Sequence, residues 1–285
     1  MKKQKDLRNL YYLPLTIWMT LFFAIPTAII VYFSFLKKGP YGGIVSYTSY
    51  SLKAYKELIT PELLKIVLKT FNISVVITAV VIFLSIPTAY FLSRSKYKNL
   101  WLLLIVIPFW TNFLVRIFAL VGLIGNNGII NKFFMRIFNL SAPIPLLYNR
   151  VAVVIVSVYI FMPYAILPLY TAIEKFDFSL IDAARDLGAN AFQRFFRVIL
   201  PLTMPGIIAG CLLVLLPAMG MFYVADLLGG AKVLLVGNVI KSEFLISRNW
   251  PFGSAISIGL TVLMALLIFV YYRANKLLNK KVELE

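Results

Sequence analysis

Six apolar stretches, each long enough to cross a bilayer, constrain this chain more than any other feature of its sequence. They run approximately over 11–35, 70–93, 100–123, 151–173, 203–228 and 253–272, and a helix needs about 20 predominantly apolar residues to span the hydrocarbon core. In lipid every backbone polar group must find its partner inside the protein, so stretches of this length dictate α-helices. The expected fold class is therefore all-α integral membrane, with six transmembrane helices in one domain over residues 1–285. Composition agrees, since 61% of the residues are hydrophobic and the mean hydropathy is +0.89, beyond the range of a soluble domain. Pro14, Pro26, Pro87, Pro108, Pro163, Pro168 and Pro217 fall inside the stretches and predict kinked helices, because neighbouring elements can satisfy the freed carbonyls. The first stretch follows Lys2, Lys3 and Lys5 without a small-residue cleavage site. At roughly twice the length of a signal-peptide core it is expected to stay as the first helix.

Lysine and arginine outnumber acids 28 to 11, a bias that in a soluble protein would suggest nucleic acid. Here the cations lie between the apolar stretches and read as topology signals. The N-terminal tail, the second to third connection (Arg94, Lys96, Lys98), the fourth to fifth connection and the C-terminal tail hold 15 of them, against 12 in the longer opposite segments. Both termini are thus expected in the cytoplasm. The segment 36–69, with Pro40, Gly42 and Gly43, reads as an outer loop, and the amphipathic run Pro61–Leu68 within it as a short interfacial helix. There is no histidine, and the lone cysteine, Cys211, sits inside an apolar stretch. Disulfides, Cys/His metal sites and histidine-based catalysis are closed off, and with them most enzyme chemistry.

Between the fourth and fifth stretches lies the segment that carries most information. Ser179 followed by Asp182 reads as a capping box that starts a short helix, and Gly188 as its end and elbow. A second helix is expected from about Asn190, with Phe192, Phe195, Phe196 and Ile199 on one face and Gln193, Arg194 and Arg197 on the other, before Pro201 leads into the fifth stretch. Pattern alone reads this helix, hinge and helix equally well as a solvated connector. Spacing adds more: Asp182-Ala183-Ala184, then Gly188, Val198 and Leu200-Pro201. This run resembles the EAA motif of ABC importer permeases, with Asp182 standing for Glu and Val198 for Ile. The resemblance implies a type I importer permease (MetI-like) architecture in which this segment forms the helices that seat in a groove of a cytoplasmic ATPase. Asp182, Ala183, Ala184, Gly188, Leu200 and Pro201 would then transmit ATPase closure to the permease. The chain contains no Gly-x-x-x-x-Gly-Lys-Ser/Thr loop, so no cofactor is expected on it, and ATP and Mg would be bound by the partner ATPase.

Longer runs narrow the family. Ile107–Asn112, Pro201–Cys211, Leu216–Lys232 and Trp250–Gly253 look like the PotB-type permeases of spermidine/putrescine importers in the bacterial inner membrane. That similarity implies four kinds of partner: a second, PotC-like permease subunit, a PotA-like ATPase dimer, a PotD-like extracellular binding protein and the polyamine itself. Polyamine amines titrate near pH ~10 and travel as cations, so their path needs acids and aromatic faces. Asp226 is the one acid in the six stretches and follows Phe222 and Tyr223, while Trp110 and Asn112 lie on the third. These five residues and Lys241 form the expected substrate path. Asp226 reads alternatively as a cap at the outer helix end, Trp110 as an interfacial aromatic, and Glu243, near Lys241, as part of a solvated loop or an ion pair. Arg116, inside the third stretch, is expected to pair with a carbonyl or with an acid of the partner subunit. Rival readings are a permease for an amino acid, ferric ion or thiosulfate, or an ATP-independent channel.

Overall fold

The computed structural model describes residues 12–44 and 49–282. Among the described residues, six helices are long and apolar enough to cross a membrane: Tyr12–Ser34 (α1), Pro61–Arg94 (α3), Phe113–Phe138, Arg150–Glu174 (α7), Ala191–Gly220 (α9) and Trp250–Arg273. The first carries a π turn over Thr20–Ala24 and the fifth another over Phe195–Ile199. In both, a proline, Pro26 or Pro201, stands two residues beyond the turn. Proline has no N–H to donate and its ring clashes with the carbonyl four residues back; the wider turn relieves the clash.

The described residues form two compact units, one of residues 12–44, 49–65 and 239–265, the other of 66–238 and 266–282. In the first unit no residue of the most apolar window of α1 is buried. Beyond α1 the chain makes two isolated antiparallel bridges, Leu36 with Tyr50 and Lys38 with Ile44. The Ser34 hydroxyl meets the Tyr55 hydroxyl at 2.7 Å, and Phe33 stacks on Trp250 with centroids 6.0 Å apart. The short helix expected at Pro61–Leu68 lies instead at Lys53–Glu57 (α2). Pro61 opens α3, which continues unbroken to Arg94, because no glycine or proline separates the amphipathic run from the apolar one.

In the second unit the third stretch, read as one crossing at 100–123, is two helices. Lys98–Trp110 (α4) ends at an extended Thr111, and Phe113–Ile124 (α5) starts behind an Asn112 cap. Ile129–Phe138 (α6) follows, held by buried Asn131, whose amide exchanges hydrogen bonds with the backbone of Ile144 at 2.9 Å each. The fifth stretch also breaks: α9 stops at Gly220, Met221 is extended, and Tyr223–Leu228 (α10) begins anew.

The broadest packing in this unit is α7 against α9, and small residues make it possible. A Cβ on Gly206 would come within 2.7 Å of the Ala172 Cβ and 2.9 Å of the Pro168 carbonyl, and one on Gly210 within 3.3 Å of the Ala165 Cα. The glycines stand four residues apart, so they share a face of α9, and in lipid such close backbone approach replaces the missing hydrophobic drive. Gly206→Ala, which forces atoms against backbone, is expected to cost about 1–3 kcal/mol. A lower thermal unfolding midpoint of the purified protein checks it; an unchanged midpoint would mean that α7 and α9 separate freely.

Candidate functional site

The connecting segment folds as helix, elbow and helix, with a different start from that expected. The N-cap position of the first helix is Phe178, which makes no side-chain cap; the preceding Asp177 closes the turn, its Oδ1 accepting the Ser179 N–H at 2.9 Å, which holds the exposed carboxyl below its ordinary range. Ser179 is already the first helical residue of Ser179–Asp186 (α8), so the capping box expected at Ser179 and Asp182 is corrected. At the other end Ala189 donates to the Ala184 carbonyl at 3.0 Å and Gly188 to the Arg185 carbonyl at 2.9 Å. With Gly188 at φ +83°, this is the Schellman ending, which requires a left-handed residue at that position. Asn190 then opens the next helix through a full capping box: Gln193 N–H to Asn190 Oδ1 at 2.8 Å, Asn190 N–H to Gln193 Oε1 at 2.9 Å.

Of α8 only Ile181 is buried. Asp182 and Ala183 are exposed and Ala184 is half-buried. Leu187 is 88% exposed and Phe192 70%, two large apolar side chains on either side of the elbow that the motif does not include. Their spacing from Gly188 was the available signal. Arg194 does not join Arg197 on a polar face as expected: it lines an apolar cavity with Phe195, Phe196, Ile199 and Leu200. The π turn at Phe195–Ile199 shifts the helical register by one residue and rotates the faces apart.

Five of the six expected path residues, Trp110, Asn112, Phe222, Tyr223 and Asp226, fall at or beside the two helix breaks of the second unit; Lys241 does not. Trp110 ends α4 and is 80% exposed. Asn112 is a cap, its Oδ1 accepting Leu114 N–H at 2.8 Å. Phe222 and Tyr223 lie at the second break with ring centroids 3.9 Å apart, bordering with Phe113, Phe161 and Pro217 a cavity of about 230 Å³. Asp226 is in the first turn of α10, outside the spanning part of α9, and is exposed. Its carboxylate is held by Asn238, whose Nδ2 donates both to Asp226 Oδ1 and to the Phe222 carbonyl at 3.2 Å. Asn238 is 6% exposed, and its own Oδ1 accepts Leu235 N–H at 3.0 Å. Gly237 beside it has no Cβ to strike the Gly220 carbonyl, which would lie 2.8 Å away. The break is therefore braced by Gly237 and Asn238, neither of which the sequence reading singled out.

Chemically, the site puts the carboxyl end of α9, where the helix dipole is negative, next to two aromatic rings and a carboxylate. Broken membrane helices use such carbonyl-rich ends to hold cations. Lys241 and Glu243 lie on the helix Val236–Leu245 (α11), which corrects the solvated-loop reading of Glu243, and residues two apart on a helix do not face each other. Glu243 instead accepts from the Ser247 hydroxyl at 3.4 Å. The Arg116 guanidinium lies over the rings of Phe109 at 5.3 Å and Phe113 at 5.9 Å, and its buried Nε has no hydrogen-bond partner among the described residues. Within this chain, the aromatic faces of Phe109 and Phe113 are what the guanidinium meets.

Residues 81–284 match the family described as binding-protein-dependent transport system inner membrane component. The spermidine/putrescine transport system permease protein PotB of Haemophilus influenzae is 58% identical over 270 residues, 94% of each chain. Its Escherichia coli namesake is 47% identical over 270 residues, 94% of this chain and 98% of that one. Among solved structures, a bacterial ABC transporter involved in the import of the acidic polysaccharide alginate superposes with a TM-score of 0.72, covering 96% of both chains at 15% identity. At that identity the likeness shows the fold alone.

Proposed function

The chain belongs to the family of binding-protein-dependent transport system inner membrane components, and from that premise we propose that it is the permease subunit of a polyamine importer. It is a multi-pass protein of the bacterial inner membrane and a transport subunit rather than an enzyme. The observation that carries the substrate is the full-length similarity to a spermidine/putrescine permease, 58% identity over 94% of each chain. Supporting it is the chemistry of the second break, where aromatic faces and the Asp226 carboxylate suit a cation.

The permease works with a second permease subunit, an ATPase and a substrate-binding protein; we take these to be PotC-like, a PotA-like dimer and PotD-like. ATP and Mg bind the ATPase, and both termini and the segment 174–202 lie in the cytoplasm. Closure of the ATPase dimer pushes on Asp182, Ala183 and the exposed Leu187, and the Gly188 elbow passes the movement through Leu200-Pro201 into α9. At the far end of α9 the break carrying Phe222, Tyr223 and Asp226 shifts, and the polyamine moves between the two permease subunits. Trp110, Asn112 and Lys241 belong to the same path. A ligand moves such an equilibrium only through unequal affinity for its two states, so the ATPase must grip α8 differently before and after closure.

The test is uptake of labelled spermidine by proteoliposomes holding the complete complex and its binding protein. Uptake is expected only with ATP inside the cytoplasmic compartment, and excess putrescine should compete. Flux without ATP would identify a channel instead, and competition by an amino acid or thiosulfate but not by putrescine would move the protein to another substrate class.

A further inference from the structure

A cavity of about 680 Å³ lies between α3, α8 and the start of α9. One wall is the face of α3 from Phe83 to Tyr90, where lining residues recur at helical spacing; the other is Phe195, Phe196 and Leu200, with Ile181 of α8 between. The sole charged residue in the lining is Arg194, and its Nε is buried without a hydrogen-bond partner among the described residues. Arg194 is half-buried and forms no ion pair among the described residues, so its outer guanidinium nitrogens, at the rim of apolar walls, are available to an anion. The volume is that of an ordinary small-molecule site, mostly apolar with a few placed polar groups. Phe83 is 75% exposed and lies eleven residues before the end of α3 at Arg94, roughly 16 Å deeper along the helix axis. The cavity therefore runs from the interface into the hydrocarbon.

We propose that it binds an anionic phospholipid of the inner leaflet, its phosphate on Arg194 and an acyl chain along Phe83 and Phe196. Basic pockets between membrane helices on the cytoplasmic side have this chemistry. The assignment rests on the cytoplasmic placement of 174–202 given above. Because Ile181 and Leu200 line the same space, the lipid sits against both sides of the Gly188 elbow, and its loss frees α8 to move relative to α9. Membrane composition then sets how tightly ATPase closure is coupled to transport.

The complete complex, held in phosphatidylcholine nanodiscs, is exposed to phosphatidylglycerol bearing a photoactivatable acyl chain, and the labelled peptides are mapped. Labelling is expected on the peptides containing Phe83–Tyr90 and Phe195–Leu200. It should fall about tenfold in Arg194→Gln, the consequence of losing one charge-assisted contact, recover in part in Arg194→Lys, and be unchanged in Arg197→Gln. Equal labelling by a phosphatidylcholine probe, or labelling indifferent to Arg194→Gln, would overturn the assignment. So would cross-linking of these peptides to the partner permease in place of lipid, which would make the cavity a subunit interface. The readout needs no substrate, so a failure of polyamine uptake leaves it standing.

Discussion

Gly188→Val is expected to leave the chain inserted in the membrane at normal levels and to abolish spermidine uptake. The residue sits at φ +83° with nothing within 4 Å of where a Cβ would be, so no clash is created. The cost is in the backbone, where a β-branched residue held left-handed costs about 1–3 kcal/mol. Relief comes by abandoning the Schellman ending, which forfeits the bonds from Ala189 to Ala184 and from Gly188 to Arg185, each worth about 0.5–1.5 kcal/mol. Eight residues of α8 have little intrinsic stability to resist this. The six spanning helices are untouched, and only the angle at which Asp182, Ala183 and Leu187 meet the ATPase changes. Uptake measured at matched membrane levels decides the matter. Gly188→Asn, which accepts the left-handed conformation, should keep most activity. Normal uptake by the valine variant would count against the elbow, and equal loss in both variants would point to crowding by a partner surface in place of backbone strain.

The spans were readable because length and apolarity act over twenty residues, and no local feature overrides them. Their interruptions were not, for the same reason. Averaging hydropathy over 100–123 hides Thr111-Asn112, a polar pair of which Thr111 ends α4 and Asn112 caps α5. At the second break Met221 and Phe222 are themselves apolar, so only Pro217 and Gly220 upstream hinted at it. The elbow at Gly188 was readable since glycine after a short capped helix has one common use, whereas its start was ambiguous because Asp177 and Ser179 are both good capping residues. Arg194 was misplaced because helical spacing assumes 3.6 residues per turn, and the π turn before Pro201 breaks that assumption. Asn238 and Gly237 escaped because their partners, the Phe222 and Gly220 carbonyls, are backbone atoms exposed only by a break that the sequence did not reveal.

Asp226→Asn is expected to cut spermidine uptake about tenfold to a hundredfold while ATPase activity stimulated by the binding protein persists. The substitution keeps shape and removes charge, and a hydrogen bond to a charged group is worth about 1.5–3 kcal/mol, with each 1.4 kcal/mol a factor of about ten. Binding loss of this kind raises the KM for transport more than it lowers the maximal rate. Asn238 offers a second way to perturb the same carboxylate. Its amide ties Asp226 Oδ1 and the Phe222 carbonyl together, so Asn238→Ala leaves the charge present but lets the carboxylate and the break drift. A smaller rise in KM is expected, together with lower thermal stability, because a part-buried carbonyl at the break loses its donor. If both act on one cation contact, the double variant falls short of the summed losses, since residues in one hydrogen-bond network do not add. Full additivity would separate the two residues, making Asn238 a brace of the break alone. Unchanged uptake in Asp226→Asn would reduce the carboxylate to a partner of Asn238 at the start of α10, leaving the aromatic pair Phe222–Tyr223 and the carboxyl end of α9 as the remaining means of holding the polyamine.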